Sequence, residues 1–432
     1  MKKRIQPTIL RIVLALILSP QLAIHAADYP LRDAVECQAR NGLPNVLQKL
    51  RQDREVRIGY LGGSITAAPG WRVKSMKWFQ EQYPKVKVSE INAAIGGTGS
   101  DLGVFRLQQD TLRHQPDLLF VEFAVNDGGA APDRIIKAME GIVRQTWRAD
   151  PATDICFVYT ISLPVLEDAL AGRYQRSATA MEHVAGHYGI PTIHLGLEVA
   201  RMVAGGRLVF KGEKPKDNPA TTKPMVFSSD GVHPLVETGH QLYLDAIVRS
   251  MKVVGNVGKP GPHRIPKPLD ADNWENAKLV PIRADMLSGK WTRMDPAKDP
   301  LAKRFSNRLP VLWHSDDPGA TLSFRFKGTT ASMYDLVGPD CGQVQVKVGE
   351  GKDKTVRRID GYCTYHRLSK FTVTSSGTDE TQGVRLTISA EAPDKAKILF
   401  ERNRHDLLKN PKKYEGINWY VGSIMLIGDL VE

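Results

Sequence analysis

The stretch Gly62-Gly63-Ser64-Ile65-Thr66 decides the fold of the first half of this chain. It follows a short apolar run, residues 56–61, whose length and composition predict a buried strand. A helix is predicted after it, over residues 71–82. A serine on a glycine-flanked turn after the strand lies at the strand's carboxyl end, where open α/β sheets bind their ligands. Taken alone, the stretch fits a plain structural turn as well as a catalytic nucleophile.

Strands and helices alternate from this stretch onward. Further strands are predicted over residues 86–91, 118–123, 155–160 and 190–195, with helices between them. The clearest helix begins at Pro132, and its apolar side chains fall on one face: Ile135, Ile136, Met139, Ile142, Val143 and Trp147. Residues 205–227 hold four lysines together with Gly and Pro and predict a long surface loop. The alternation predicts βαβ units around a parallel sheet.

The chain changes character after residue 253. Residues 254–272 are rich in Gly, Pro and Lys and predict a linker. Beyond them, short alternating runs separated by turn residues predict an antiparallel β-sandwich over residues 273–432, without a long helix. These runs are residues 321–326, 331–336, 344–348, 371–374, 384–388 and 420–426. We therefore expect an α/β domain over residues 27–253 and an all-β domain after the linker.

The N-terminus has the features of a secretory signal peptide. Lys2, Lys3 and Arg4 precede an apolar core, and Ala26 offers a small residue for cleavage. We expect residues 1–26 to be removed and the protein to be exported to the periplasm or the extracellular space. The apolar run is too short to span a membrane, so we expect no stable membrane insertion after cleavage. An uncleaved anchor is the alternative.

The composition is that of an ordinary soluble protein, with 42% hydrophobic and 25% charged residues. Removal of residues 1–26, which hold four basic and no acidic side chains, lowers the net charge from +12 to +8. That excess is mild for the length, and it fits a solvated basic surface or contact with an acidic polymer. We find no nucleic-acid-binding motif, so no nucleic-acid partner is expected.

The four cysteines give no metal-binding pattern. Cys37, Cys156, Cys341 and Cys363 form no CxxC pair, so a structural zinc site is not expected. Cys156 lies in an apolar run and is expected to be a buried thiol. Cys341 and Cys363 share the C-terminal region, where an oxidising compartment would allow a disulfide between them. The sequence leaves that pairing open, because it does not give their separation in space.

A catalytic triad can be completed around Ser64 by a motif far downstream, Asp230-Gly231-Val232-His233-Pro234. A serine hydroxyl needs a base to become a nucleophile, and His233 can be that base. Asp230 can orient the imidazole, since three residues of separation allow both side chains to come from one loop. A satisfied pair within a surface loop is the structural alternative.

An acyl-transfer site also needs hydrogen-bond donors for the developing oxyanion. Three candidates follow three successive predicted strands: the backbone N–H of Ser64, the backbone N–H of Gly97 (or Gly96), and the side-chain amide of Asn126. The glycines also fit a tight turn, and Asn126 also fits a helix-capping loop. It is the ordered combination with Asp230 and His233 that favours a catalytic site.

At this point the chain resembles the SGNH (GDSL-type) hydrolase superfamily, over roughly residues 55–252. The stretch around Ser64 is similar to the first sequence block of that superfamily. Residues 92–97 are similar to the second block, with Gly97 at the oxyanion position, and Asn126-Asp127 is similar to the third block. The motif from Asp230 to Pro234 is similar to the fifth block. The resemblance implies a flavodoxin-like, three-layer α/β/α hydrolase domain with strand order 2-1-3-4-5, followed here by the β-sandwich.

The resemblance also implies a serine esterase that uses no metal or other cofactor. Ser64, His233 and Asp230 would form the triad, and Ser64, Gly97 and Asn126 the oxyanion hole. The chain departs from the superfamily pattern at two points. The first block lacks the Asp of Gly-Asp-Ser, and Ala124 stands where the third block usually has Gly. Both positions bear on the shape of the oxyanion pocket.

The expected export and the added β-sandwich favour a carbohydrate ester as substrate. Several aromatic residues of the C-terminal region are candidates for stacking on sugars or, alternatively, for the core: Trp274, Trp291, Trp313, Tyr362, Tyr365, Trp419 and Tyr420. The leading hypothesis is hydrolysis of short acyl esters, most plausibly acetyl esters, on a polysaccharide or glycoside. The expected binding partner is therefore an acylated glycan or another small ester. The alternatives are an envelope-glycan O-acyltransferase, a lipase or lysophospholipase, and a glycan-binding protein without activity.

Overall fold

The computed structural model describes residues 29–432 except 217–219, 222 and 376–379. The predicted signal peptide, residues 1–26, lies outside the described residues. We call residues 29–254 the α/β unit and residues 277–432 the β unit. Within the described residues, no helix combines the length and the apolar character needed to cross a bilayer.

The α/β unit alternates strands and helices as predicted. Its strands are β1 (Cys37–Gln38), β2 (Val56–Gly62), β3 (Val88–Asn92), β4 (Leu118–Glu122), β5 (Asp154–Tyr159), β6 (Thr192–His194), β7 (Leu208–Lys211) and β8 (Met225–Ser228). Its α-helices are α1 (Pro44–Arg51), α2 (Ser64–Ala67), α3 (Trp71–Gln82), α4 (Ser100–Asp110), α5 (Pro132–Ala149), α6 (Leu166–Leu170), α7 (Arg176–Tyr188), α8 (Leu197–Ala204) and α9 (Gly239–Val254). Short 3₁₀ helices lie at Leu112–His114 and Leu163–Val165.

The main sheet of the α/β unit has the order β1-β6-β5-β4-β2-β3. All its pairs are parallel except β1 with β6, so the five parallel strands have the predicted order 2-1-3-4-5. Side chains alternate between two cores, because both faces of the sheet are covered. Leu118 and Phe120 pack with α1, α3 and α9, whereas Leu119 and Val121 pack with α4, α5 and α7. The three-layer fold is confirmed.

Residues 205–227 differ from the prediction of one long surface loop. Strands β7 and β8 occupy the two ends of this segment and pair in parallel as a separate two-stranded sheet. Phe210 and Phe227 anchor the pair, since both are buried and their ring centroids lie 4.6 Å apart. The sequence signal was hidden because each strand is only four residues long, and because one of the four lysines is the last residue of β7 and the other three lie between the strands. The small sheet leads directly into the Asp230–His233 motif.

The β unit is a large antiparallel sheet folded over its own core, as predicted. Its strands are β9 (Ala277–Pro281), β10 (Leu287–Ser288), β11 (Thr292–Arg293), β12 (Trp313–Ser315), β13 (Thr321–Val337), β14 (Gln343–Val348), β15 (Lys354–Arg357), β16 (Arg367–Thr374), β17 (Thr381–Ile388) and β18 (Trp419–Val431). Three short α-helices were not predicted: α10 (Pro300–Phe305), α11 (Lys395–Ile398) and α12 (Glu401–Lys409). The 3₁₀ helices are Ala284–Met286 and Pro411–Tyr414.

Strand β13 unites two runs that the sequence predicted as separate strands. It continues through Gly328, whose φ of +151° favours glycine, and its register against β18 shifts there. Gly328 faces Gly428, and a Cβ on either residue would collide with the other strand. The bend lets the first half of β13 pair with β17 and the second half with β16. The two halves of this one strand therefore pair with different neighbouring strands of the β unit.

The two units share a packed boundary. Phe105 on α4 contacts Trp274 in a tilted arrangement with ring centroids 5.8 Å apart, and Tyr334 and Leu336 from β13 join the core beneath α4 and α5. The predicted linker is also held in place. Backbone N–H groups of Leu269 and Asp270 donate to the buried carboxylate of Glu140, the second at 2.8 Å. Both the linker and the β unit are thus fixed against the α/β unit.

Candidate active site

Ser64 is the first residue of α2; Gly62 is the last residue of β2, and Gly63 alone lies between them. The φ of Gly63 is −91°, which any residue can adopt, so glycine is needed there for space. A Cβ at Gly63 would lie 2.5 Å from Cγ of Asn126, and one at Gly62 would lie 2.8 Å from the carbonyl oxygen of Glu122. The glycines therefore allow the end of β4 to approach the serine closely.

His233 and Asp230 are brought to Ser64 by the turn between β8 and α9. The Nε2 atom of His233 lies 2.8 Å from Oγ of Ser64, and its Nδ1 atom lies 2.7 Å from Oδ2 of Asp230. These distances are hydrogen bonds, and they connect the three side chains in the order of a serine–histidine–aspartate triad. The side chains of His233 and Asp230 are 49% and 53% exposed, so the triad lies open at the surface.

The other carboxylate oxygen of Asp230 fixes the loop. It accepts the backbone N–H groups of Val232 and His233, each at 2.8 Å, and lies 3.0 Å from Oγ of Ser228. Burial alone would raise the pKa of Asp230, but the hydrogen bonds from His233 and Val232 outweigh it and hold that pKa well below its usual range. Asp230 is therefore ionised at neutral pH, as the partner of an imidazole N–H must be.

The other two predicted oxyanion donors lie on loops that approach the turn carrying Ser64. A Cβ at Gly96 would lie 3.6 Å from Cβ of Ser64, and Gly97 follows with a φ of +73° that suits glycine. Gly97 is exposed. The side-chain amide of Asn126 packs on Gly63, one residue before the serine. The carboxyl ends of β2, β3 and β4 thus bring all three candidate donors to one edge of the sheet.

Two buried acids near the site were not singled out from the sequence. Glu122 ends β4, is fully buried, and accepts the hydroxyls of Thr66 at 2.8 Å and Thr160 at 2.6 Å. Desolvation raises its pKa, against the opposing effect of these bonds. It ties the turn after Ser64 to the ends of β4 and β5. An acid inside the apolar run of residues 118–123 was the signal that could have found it.

Asp127 is the second buried acid and follows Asn126 directly. Its Oδ1 atom accepts the backbone N–H of Ser100 at 3.0 Å, and so connects the Asn126 loop to the loop that carries Gly97. Within the described part of the chain, its buried Oδ2 atom has no hydrogen-bond partner. Burial raises the pKa of Asp127 to about 7, although the bonds from Ser100 oppose the shift.

The structure separates the seven aromatic candidates for sugar stacking. Trp274, Trp419 and Tyr420 are buried and belong to the core, so they are not available to a ligand. Trp291 and Trp313 are partly buried. Tyr362 and Tyr365 are about half exposed, at 51% and 50%. The core alternative therefore holds for the first three, and the two tyrosines remain candidates.

Among the described residues, one group has donor atoms close enough together to suggest a metal: Asp340, Cys341 and His366, within 4.8 Å of one another. Hydrogen bonds already use this group. Asp340 accepts from Nε2 of His366 and from the hydroxyl of Tyr420, both at 2.7 Å. Burial raises the pKa of the Cys341 thiol well above its usual range, which disfavours the thiolate that a metal needs. Cys341 and Cys363 are both free thiols rather than a disulfide.

Comparisons with known proteins give a family and a fold. Residues 60–242 match the model of the GDSL-like Lipase/Acylhydrolase family. No curated protein matches the chain. A two-domain esterase (CEX) active on acetylated mannans, co-crystallized with mannopentaose, is 18% identical, with a TM-score of 0.69, over 94% of this chain and 100% of that chain. A second structure of a two-domain esterase (CEX) active on acetylated mannans is 17% identical, with a TM-score of 0.68, over 92% and 100%.

A third solved structure, the acetylxylan esterase Axe2 from Geobacillus stearothermophilus, is 17% identical, with a TM-score of 0.36, over 45% of this chain and 94% of that chain. At such identities, the likeness to the two-domain esterases shows a common fold that extends through both units.

Proposed function

Because residues 60–242 match the model of the GDSL-like Lipase/Acylhydrolase family, we propose that this protein is a serine esterase that removes acetyl groups from a polysaccharide or glycoside. One observation carries the proposal: Ser64, His233 and Asp230 form a continuous hydrogen-bonded chain with distances of 2.8 and 2.7 Å. Gly96 lies against Ser64, and Asn126 packs on Gly63, the residue before the serine.

Acylation begins when Oγ of Ser64 attacks the ester carbonyl carbon and its proton moves to Nε2 of His233. Asp230 keeps the proton of the imidazolium at Nδ1 and stabilises its charge. The carbonyl oxygen becomes negative and accepts hydrogen bonds from the N–H groups of Ser64 and Gly97 and from the amide of Asn126.

The tetrahedral intermediate collapses when the bond from the carbonyl carbon to the sugar oxygen breaks. Nε2 of His233 returns its proton to that oxygen, so the sugar leaves as an alcohol and an acetyl group remains on Ser64. Water then enters and gives a proton to His233 while its oxygen attacks the acyl carbon. Acetate leaves and the serine regains its proton.

The open triad supports a large substrate that carries a small acyl group. With His233 and Asp230 about half exposed, a polysaccharide can approach without first entering a deep pocket. A long acyl chain would need an apolar groove to gain the roughly 0.8 kcal/mol available for each buried CH₂ group. The two-domain esterase that shares the fold of both units acts on acetylated mannans, and we propose acetylated glycans as the substrate class here.

The test compares p-nitrophenyl acetate, butyrate and octanoate as substrates for the wild type, Ser64→Ala and a matched control, Ser288→Ala. Ser288 is an exposed serine of the β unit, so its substitution should leave turnover unchanged. We expect activity to fall with chain length and to disappear only in Ser64→Ala. Turnover retained by Ser64→Ala would refute the nucleophile, and a maximum at octanoate would favour a lipid substrate. A second assay separates hydrolysis from acyl transfer. It compares the acetate released from acetylated polysaccharide with the acetyl groups transferred to added oligosaccharide.

A further inference from the structure

The loop that carries Gly97 is held by an arginine from the β unit. Arg308 follows α10, and its Nη2 atom donates to the carbonyl oxygen of Asn92 at 2.9 Å and to that of Ala94 at 3.5 Å. Arg106 on α4 donates to the carbonyl oxygen between them, that of Ala93. Three successive carbonyls of the loop are therefore bound by two guanidinium groups.

Both arginines also bind the same carboxylate. Oδ2 of Asp110, at the end of α4, lies 2.9 Å from Nη1 of Arg106 and 3.0 Å from Nη1 of Arg308. The side chains of Arg106 and Asp110 are fully buried, and that of Arg308 is 20% exposed. We call these three side chains the arginine–aspartate cluster. It lies across the boundary between the two units.

Arg308 itself is firmly positioned. In the sequence, Arg308 stands between two residues whose side chains belong to the shared core, Phe305 and Leu309, which are 7% and 1% exposed. Its carbonyl oxygen accepts a hydrogen bond from Nε2 of Gln109 on α4 at 2.9 Å. The guanidinium thus extends from a fixed point, and its two donor nitrogens can hold a carboxylate and a backbone carbonyl at once.

The bound loop leads straight to the active serine. Ile95, one residue after the bound carbonyls, donates its N–H to the carbonyl oxygen of Gly62 at 3.0 Å, and Gly96 and Gly97 follow. We propose that Arg308 is a positioning residue for the oxyanion hole, through which the β unit sets the location of the Gly97 N–H relative to Ser64. The inference rests on the esterase function proposed above.

The charges of the cluster make Arg308 open to substitution. Removal of Asp110 would leave the buried charge of Arg106 without its carboxylate partner, which is strongly destabilising. Removal of Arg308 leaves Arg106 and Asp110 as a neutral pair. The Arg308 variant is therefore expected to fold, so that its effect on the loop can be measured.

The experiment uses the full chain in four forms: wild type, Arg308→Ala, Arg308→Lys and the control Arg325→Ala. Arg325 is an exposed arginine of β13 that bonds to the carbonyl oxygen of Glu432, within the β unit. For p-nitrophenyl acetate we expect kcat of Arg308→Ala to fall about 10- to 100-fold, less than for loss of an oxyanion donor, with KM within about twofold. Arg308→Lys should be intermediate, and added guanidinium should restore activity to Arg308→Ala only.

Hydrogen exchange of the peptide over residues 92–98 gives a readout that does not depend on activity. The proposal predicts faster exchange there in Arg308→Ala and no change in Arg325→Ala. Unchanged exchange together with kcat within twofold of wild type would overturn it, as would an equal loss in the control. If the wild type lacked esterase activity while exchange still rose, the esterase proposal would fail and the structural role of Arg308 would stand.

Discussion

Gly63→Ala tests how the glycine turn and the oxyanion hole depend on each other. The new methyl carbon would lie 2.5 Å from Cγ of Asn126 and 3.0 Å from its Nδ2, well inside van der Waals contact. Since φ of Gly63 is −91°, alanine can adopt the backbone conformation, and the collision is the main cost. The amide of Asn126 must move away, and the transition state loses that donor.

The magnitude follows from the donor that is lost. Removal of one side-chain donor from an oxyanion hole costs about 100- to 1000-fold in kcat, or about 2.7–4 kcal/mol. We expect kcat on p-nitrophenyl acetate to fall by about this factor in Gly63→Ala and by the same factor in Asn126→Ala. Because both changes remove one interaction, the double variant should be no slower than Asn126→Ala alone.

Gly129→Ala is the control, because a Cβ there meets no atom within 4 Å. Thermal unfolding of each variant checks that the fold persists. A Gly63→Ala enzyme within threefold of wild-type kcat would refute the geometric argument. Additive losses in the double variant would show that Gly63 acts through something other than Asn126.

Two further predictions concern acids of the site. Asp230→Asn would place an amide N–H₂ opposite Nδ1 of His233 and favour the tautomer of His233 that carries its proton on Nε2. Because Nε2 could then not accept the serine proton, kcat should fall about 100- to 10,000-fold. A loss of kcat below tenfold would contradict the role of Asp230. Asp127 has its pKa raised by burial to about 7, so between about pH 4 and 7 the folded chain keeps a proton that the unfolded chain releases. The free energy of unfolding should therefore fall as pH rises through that window, by up to about 4 kcal/mol, and level off above it. Urea unfolding at pH 5 and pH 8 should show a smaller fall in Asp127→Asn than in the wild type, the remaining fall coming from other buried acids such as Glu122; an equal fall in both proteins would contradict the role of Asp127.

The parts of the site that follow strands could be predicted from the sequence. Ser64, Gly97 and Asn126 lie within five residues of the ends of three parallel strands, whose carboxyl ends share an edge of the sheet. His233 could be added because its motif precedes a helix. Their positions were thus set by local patterns and by one topological rule.

Other parts depend on contacts that no local pattern records. Arg308 bonds to Asn92 across 216 residues of sequence, and nothing in the residues around it distinguishes it from a surface arginine. Gly328 separates two alternating runs in the sequence, so they were predicted as two strands, whereas in β13 it is a bend made possible by facing Gly428. The aromatic residues of the β unit were ambiguous for the same reason, because alternation does not say which face of a strand is covered.

The pairing of β18 has a consequence for the order in which the protein is assembled. This strand, Trp419–Val431, pairs with β9, β12 and β13, so it lies inside the sheet although it is synthesised after the other strands of the β unit. On the ribosome, the α/β unit emerges first, while the β unit, which carries Arg308, must wait for these residues to complete its sheet. A chain that stops short of them would carry Ser64, His233 and Asp230 but no completed support for the Gly97 loop. Under the proposed role of Arg308, hydrolytic competence arises only after β18 has been synthesised.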